Sequence, residues 1–271
     1  MRALLAVLAA AALASAEPVF GSSADAPSSR TIRVDVIATD TRGQIIDTLK
    51  PSDFDLREDD KPQVVDEARF IKIEKRPSTD AATPIQSDDD ERTESARKDA
   101  RLFAVFLDEY HVRAANSERV RAALSTFLDE TLNPQDLVVI MRPLDSLFAI
   151  RMTRDRALVR QTIASFEGRQ ADYTPRNAYE RNYLAGTPAR VEQLRTQVTT
   201  SALNALAVHL CSLSSEARKT LVVVSEGLPR ADRRRGLEGL PTADTVIRSA
   251  NRSNVSICAF TSATVTFPSA R

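Results

Sequence analysis

Residues 101–112 read RLFAVFLDEYHV, and this run decides the fold. The stretch 102–107 is apolar throughout, short enough for a strand buried on both faces and too short for a typical core helix. It stops abruptly at Asp108-Glu109-Tyr110-His111, after which a polar, helix-compatible segment begins. A strand of this kind in a parallel sheet delivers polar groups to its carboxyl end, and in open α/β sheets ligands sit in the crevice beyond those ends. Asp108, Glu109 and His111 are therefore the first functional candidates. The competing reading is that Asp108 only caps the next helix.

Downstream, the same pattern repeats. Asn116-Ser117-Glu118 opens an amphipathic helix carrying Val120, Leu124, Phe127 and Leu128 on one face, and Asn133-Pro134 ends it. Residues 136–141 form a second apolar strand, and 147–152 follow closely enough to suit an antiparallel hairpin partner. Thr153-Arg154-Asp155 caps a helix with Leu158, Ile163 and Phe166. A polar stretch at 167–187 then holds Tyr173, Tyr179 and Tyr183 with Arg169, Arg176 and Arg181, which suits either a protein-binding surface or a helical insertion packed on the domain. A long helix over 191–213, a third buried strand over 219–224 stopping at Ser225-Glu226-Gly227, a basic loop at 230–239, a helix capped by Thr242 and a fourth strand at 255–260 complete the series. Strands alternating with helices from 101 to 260 predict a doubly wound, mostly parallel α/β domain of Rossmann type over 101–271.

Upstream the period changes to two. Ile32, Val34, Val36 and Ala38 alternate with Arg33, Asp35, Ile37 and Thr39, Asp40-Thr41-Arg42-Gly43 turns, and extended runs recur to residue 73. Residues 30–74 thus predict a small antiparallel β unit, whose acidic tip Glu58-Asp59-Asp60 reads as a solvated hairpin turn rather than a calcium loop. Residues 75–100, with Pro77, Pro84 and the charged run at 88–92, predict a disordered linker.

The first sixteen residues pass from Met1-Arg2 through an Ala/Leu/Val run to Ala14-Ser15-Ala16, the pattern of a cleaved secretory signal. Residues 17–29 form a flexible lead. No later run reaches the ~20 apolar residues a membrane helix needs, so the expected product is secreted, periplasmic or held in the cell envelope, with no membrane span. The 37 basic and 37 acidic residues cancel, and no basic stripe with interleaved aromatics is present, which argues against nucleic-acid binding. The two cysteines, Cys211 and Cys258, are too few for a disulfide scaffold and read as buried free thiols, although an oxidising compartment permits a pair.

These residues carry a resemblance. The strand ending in Asp108, the long helix with Thr199-Thr200-Ser201, and the strand ending in Ser225-Glu226-Gly227 resemble the three ligand loops of a von Willebrand factor A-type domain. The unit before them, with Leu49-x-x-x-Asp53-Phe54 and Glu58-Asp59-Asp60-Lys61-Pro62-Gln63, resembles the N-terminal region of von Willebrand factor A-related proteins described from acidobacteria. The likeness covers roughly residues 30–262. It implies a divalent cation held by a D-x-S-x-S loop, a Thr and an Asp, with an open position that accepts a partner protein's carboxylate. Carried onto this chain, the metal set is Asp108, Thr200 (with Thr199 the alternative) and Glu226, and the wider ligand-binding set adds Glu109, Tyr110 and His111. Tyr110 and Val112 stand where the two serines belong. Valine offers no lone pair, so the resemblance leaves either no cofactor or a weakly bound Mg²⁺, Ca²⁺ or Mn²⁺, and His111 would shift preference toward a transition metal.

No G-x-S-x-G elbow, phosphate loop, H-E-x-x-H or paired zinc motif occurs. The expectation is an exported, non-enzymatic protein-binding or adhesion-type module that meets a protein partner at the carboxyl edge of its sheet. The alternative is a hydrolase using Asp108, Glu109 and His111 as an acid/base cluster.

Overall fold

The computed structural model of the chain describes residues 36, 38–70, 84–97, 100–213, 217–228 and 240–260. The expected signal segment and lead, most of the first β strand, residues 71–83, the basic loop and residues 261–271 lie outside them.

Four strands form one parallel sheet: β3 (Arg101–Leu107), β4 (Leu137–Met141), β5 (Arg218–Val224) and β6 (Val255–Phe260), in the order β4-β3-β5-β6. The registers are direct, with Leu102 opposite both Leu137 and Lys219, and Leu107 opposite Val224. Because β3 is apolar at every position from 102 to 107, it can be buried on both faces, and it is. Leu102, Ala104 and Phe106 pack with α5 (Pro188–Ser212) and α6 (Ala243–Arg252). Phe103, Val105 and Leu107 pack on the other face with α2 (Ser117–Thr126) and α3 (Arg156–Ala164). The α/β expectation holds in this form, with the sheet all parallel and helices on both faces. The chain leaves β3 for β4 on one side and then crosses to β5 on the other, which makes the carboxyl end of β3 the topological switch point.

Local signals explain the helix starts. Asp155 accepts hydrogen bonds from the backbone N–H groups of Ala157 and Leu158 at the head of α3, and Thr187 caps α5 ahead of Pro188. The antiparallel partner expected at 147–152 is absent as a strand. Asp145 folds residues 142–145 into a turn by accepting from Arg142 N–H (2.7 Å), and only Thr153 bridges back to Val138.

The expected linker contains a helix, α1 (Asp88–Ser95). Ser87 and Asp90 form a reciprocal capping box, and the charged run supplies docking contacts instead of disorder. Glu91, 1% exposed, accepts from Met152 N–H (2.8 Å) and lies 3.4 Å from His209 Nε2. Burial raises the Glu91 carboxyl, but His209, the Met152 N–H and Arg151 outweigh it and hold it below the ordinary range. Arg154 pairs with Glu94 (2.7 Å) and Arg151 with Asp88 (2.8 Å).

The β unit is a hairpin of β1 (Leu56–Glu58) and β2 (Lys61–Gln63), turned by Asp59 and Asp60 at φ 49° and 63°. A second turn at residues 40–43 closes with Thr39 bridging Ile45, and Gly43 supplies φ 77°. Residues 64–70 form no strand where a final strand was expected, and Val64 and Phe70 are exposed. Both cysteines are free thiols. They are less buried than expected: Cys211 is half-buried, and Cys258 is exposed on β6, the outermost strand of the sheet among the described residues.

Candidate functional site

Asp108 extends the β3–β5 ladder by one step, its N–H donating to Val224 O (3.0 Å). Its side chain is fully buried. A carboxylate there needs donors, and the fold supplies them from three elements. His111 Nδ1, in the single turn at 109–111, lies 2.7 and 2.9 Å from the two oxygens; Ser225 Oγ, just past β5, donates to Oδ2 (2.8 Å); Thr199 Oγ1, on α5, donates to Oδ1 (3.3 Å). His111, 2% exposed, turns Nε2 toward Thr196 Oγ1 (3.3 Å) and Glu192 Oε2 (4.0 Å).

Tyr110 is also fully buried, and its hydroxyl donates to Glu180 Oε1 (3.0 Å). Burial, reinforced by Glu180, pushes the phenol far above its ordinary value. Glu180 opens the second half of the 167–187 segment, on α4 (Ala178–Tyr183), and is held by Arg169 through Nη1 (2.6 Å) and Nη2 (3.0 Å) and by Arg176 N–H (2.7 Å). Burial raises its carboxyl, yet Arg169, the Arg176 N–H and Tyr110 together bring it down to about 2. Gly168 is required at the hinge of this lobe. A Cβ there would sit 2.4 Å from Val112 O and 2.7 Å from Arg113 O, because Gln170 N–H must reach Val112 O (2.9 Å). The polar 167–187 stretch is thus a packed insertion over the end of β3, while Tyr179 and Tyr183 remain exposed on it.

The other expected site residues are not gathered at Asp108. Thr200 lies in the middle of α5, where its hydroxyl turns back onto Thr196 O in its own helix; Thr199 is the threonine that reaches Asp108. Glu226 donates its N–H to His111 O (3.1 Å), but its side chain, 8% exposed, turns away from Asp108 to Asn116 Nδ2 on Oε1 and to Arg113 Nε, 3.3 Å from Oε2 and off the line of a hydrogen bond. Glu109 is half-buried and makes no side-chain hydrogen bond among the described residues; burial pushes its carboxyl up, against Arg169 and Arg142.

This donor set does not fit the divalent cation that the resemblance implies. Asp108 is consumed by His111, Ser225 and Thr199, Val112 is buried with no donor atom, and Tyr110 is committed to Glu180. Among the described residues no three His, Cys, Asp or Glu side chains gather as a metal-holding group. The correction concerns Thr200 and Glu226, which local geometry directs elsewhere.

Glu180 and Arg195 were not singled out from sequence, Arg169 was read only as part of the Tyr/Arg-rich stretch, and Ser225 only as the start of the Ser225-Glu226-Gly227 strand end. Ser225 had a signal, since it is the first polar residue after the apolar strand. Nothing in spacing joins Tyr110 to Glu180, 70 residues away. Beside the lobe, a cleft of about 820 Å³ is lined by Met141, Leu144, Leu147, Tyr179, Val198 and Ala202 among others. No protein-family model matches the chain, and no curated protein matches it.

Proposed function

We propose that the chain is an exported binding module, built on a von Willebrand factor A-like α/β domain, that recognises a partner protein at the carboxyl edge of its parallel sheet. The observation that carries the reading is the polar constellation at the switch point: Asp108, His111, Thr199 and Ser225 come from three separate elements to organise one strand end. A partner meets the rim of that edge. Arg113 has 70% of its side chain exposed, and Tyr179 and Tyr183, with rings 5.0 Å apart, are 47% and 65% exposed. Tyrosine and arginine are the residues that carry disproportionate interface energy. Asp108 and His111 shape the edge from beneath. Export rests on the leader pattern of residues 1–16.

The hydrolase alternative has less support. Asp108 and His111 do pair, but both are sealed from solvent, and the hydroxyl nearest His111 Nε2, on Thr196, gives its proton to Glu192 O (2.9 Å). The test is capture of secreted and envelope proteins by the purified mature chain. A specific partner should be lost in Arg113→Ala/Glu226→Ala and in Tyr179→Ala/Tyr183→Ala. Capture indifferent to both pairs, or a turnover abolished by His111→Ala, would overturn the proposal.

A further inference from the structure

The lobe over β3 carries an unbalanced charge. Arg169 and Arg195 are each 2% exposed, and Glu180 is 3% exposed. Arg169 holds Glu180 bidentately and donates from Nη2 to Thr174 O (2.7 Å). Arg195 lies over the Tyr110 ring, 4.6 Å from its centroid, and 5.3 Å from that of Tyr173. Its hydrogen bonds go to the carbonyl oxygens of Arg169 (3.3 Å) and Asp172 (2.6 Å), and among the described residues no carboxylate stands within ion-pair distance of it. The one buried carboxylate in the lobe is therefore taken by Arg169, and Arg195 is held by carbonyl oxygens and aromatic rings alone. The Nε atoms of both are buried without an acceptor. A buried cation without a counter-ion is costly, and a planar guanidinium fork is the group best matched to a carboxylate. The other carboxyl that acts on Arg169, Glu109, makes no hydrogen bond to it.

We infer that the lobe over the carboxyl end of β3 is a carboxylate-binding site built on the Arg169 guanidinium, the Tyr110 hydroxyl and the Arg176 N–H, independent of any metal, and that Glu180 fills it as an intramolecular ligand. The ligand class is a carboxylate of an acidic side chain or chain terminus. Its use in recognition rests on the function proposed above; its chemistry does not.

The test empties the site and refills it in trans. Glu180→Ala and Glu180→Ser are made in the full chain, and thermal unfolding is followed by near-UV circular dichroism in sodium acetate and in sodium chloride at matched ionic strength. In both variants acetate should raise Tm by several degrees over chloride, climbing with the logarithm of acetate concentration as ligand linkage requires. The wild-type protein, already filled, should show coincident curves, and Glu180→Ala/Arg169→Ala should lose the acetate response. Three outcomes overturn the inference. Acetate does no more than chloride in both variants; the double variant responds as the single one does; or neither variant folds even in acetate, since a carboxylate that cannot be replaced in trans is a structural ion pair and not a ligand. An intact acetate response with no rim-dependent partner would break the proposed function and leave this site standing.

Discussion

Two neighbouring strand ends, those of β3 and β5, carry acidic groups of similar chemistry in opposite circumstances. Leu107 and Val224 are paired in register, so Asp108 and the Ser225-Glu226 step start from the same level of the sheet. Asp108 turns inward and has both oxygens served by His111, Ser225 and Thr199. Glu226 turns away from Asp108, shares one oxygen with Asn116, and leaves the other buried beneath Arg113 without an aligned donor. A carboxylate with every lone pair filled fixes structure; one buried with a lone pair unfilled is the weaker element of the two. Position at a strand end is common to both, and the donor count separates them.

The largest test of this contrast is Asp108→Ala, which leaves His111, Thr199 and Ser225 without their shared acceptor. A buried donor left without its acceptor costs about 1–3 kcal/mol, so with three donors orphaned equilibrium denaturation should read a loss of about 3 kcal/mol or more; a loss under about 1 kcal/mol would remove Asp108 from the framework. Gly168→Ala comes next. Its Cβ would meet Val112 O at 2.4 Å, so the lobe must shift, at about 1–3 kcal/mol for overpacking. An unchanged stability would mean the lobe does not dock as described.

Acid sharpens the comparison further. Glu180 is depressed from its ordinary 4.5 to about 2, so its contribution is fully present above pH 4.5 and is lost as pH falls from there toward 2. The stability difference between wild type and Glu180→Gln should shrink over that window. A gap that stays constant from pH 5 to pH 2 would contradict the Arg169 contact. Glu226→Ala takes the acceptor from Asn116 and the neighbouring charge from Arg113, and should cost about 1 kcal/mol in equilibrium denaturation, less than Asp108→Ala; an equal loss would erase the contrast. The smallest expected effect is none: EDTA, Mg²⁺, Ca²⁺ and Mn²⁺ should leave Tm where it is. A rise with Mg²⁺ that Asp108→Ala removes would restore a metal reading to the β3 end.

Legibility followed the range of the interactions. The apolar run 102–107, the Asp155 cap and the Thr242 start are local signals, and each produced the expected element within a residue or two. Thr200 shows where local reasoning fails. In a helix, neighbouring residues point about 100° apart, so a one-residue difference sends Thr199 to Asp108 and Thr200 back to its own backbone. The charges at 88–91 argued for disorder, yet Ser87-x-x-Asp90 is a capping box in plain sequence, and Glu91 is buried because Met152 N–H and His209 lie waiting 61 and 118 residues further on. Arg169, Glu180 and Arg195 look like surface residues by type. Only their arrival over Tyr110 makes them interior.

The reach of the Asp108 cluster also sets a schedule for synthesis. Ser225 is 117 residues downstream of Asp108, and β5, which pairs with β3, leaves the ribosome just before it. At about 5–20 residues per second that interval lasts roughly 6–23 s. Through it the central strand of the sheet, six apolar residues ending in an acid, has at most β4, once that is made, for a strand partner and no partner from β5 for Asp108. The nascent chain therefore presents its stickiest segment well before it can bury it, and a holding chaperone has a defined window and a defined sequence, 102–107, on which to act.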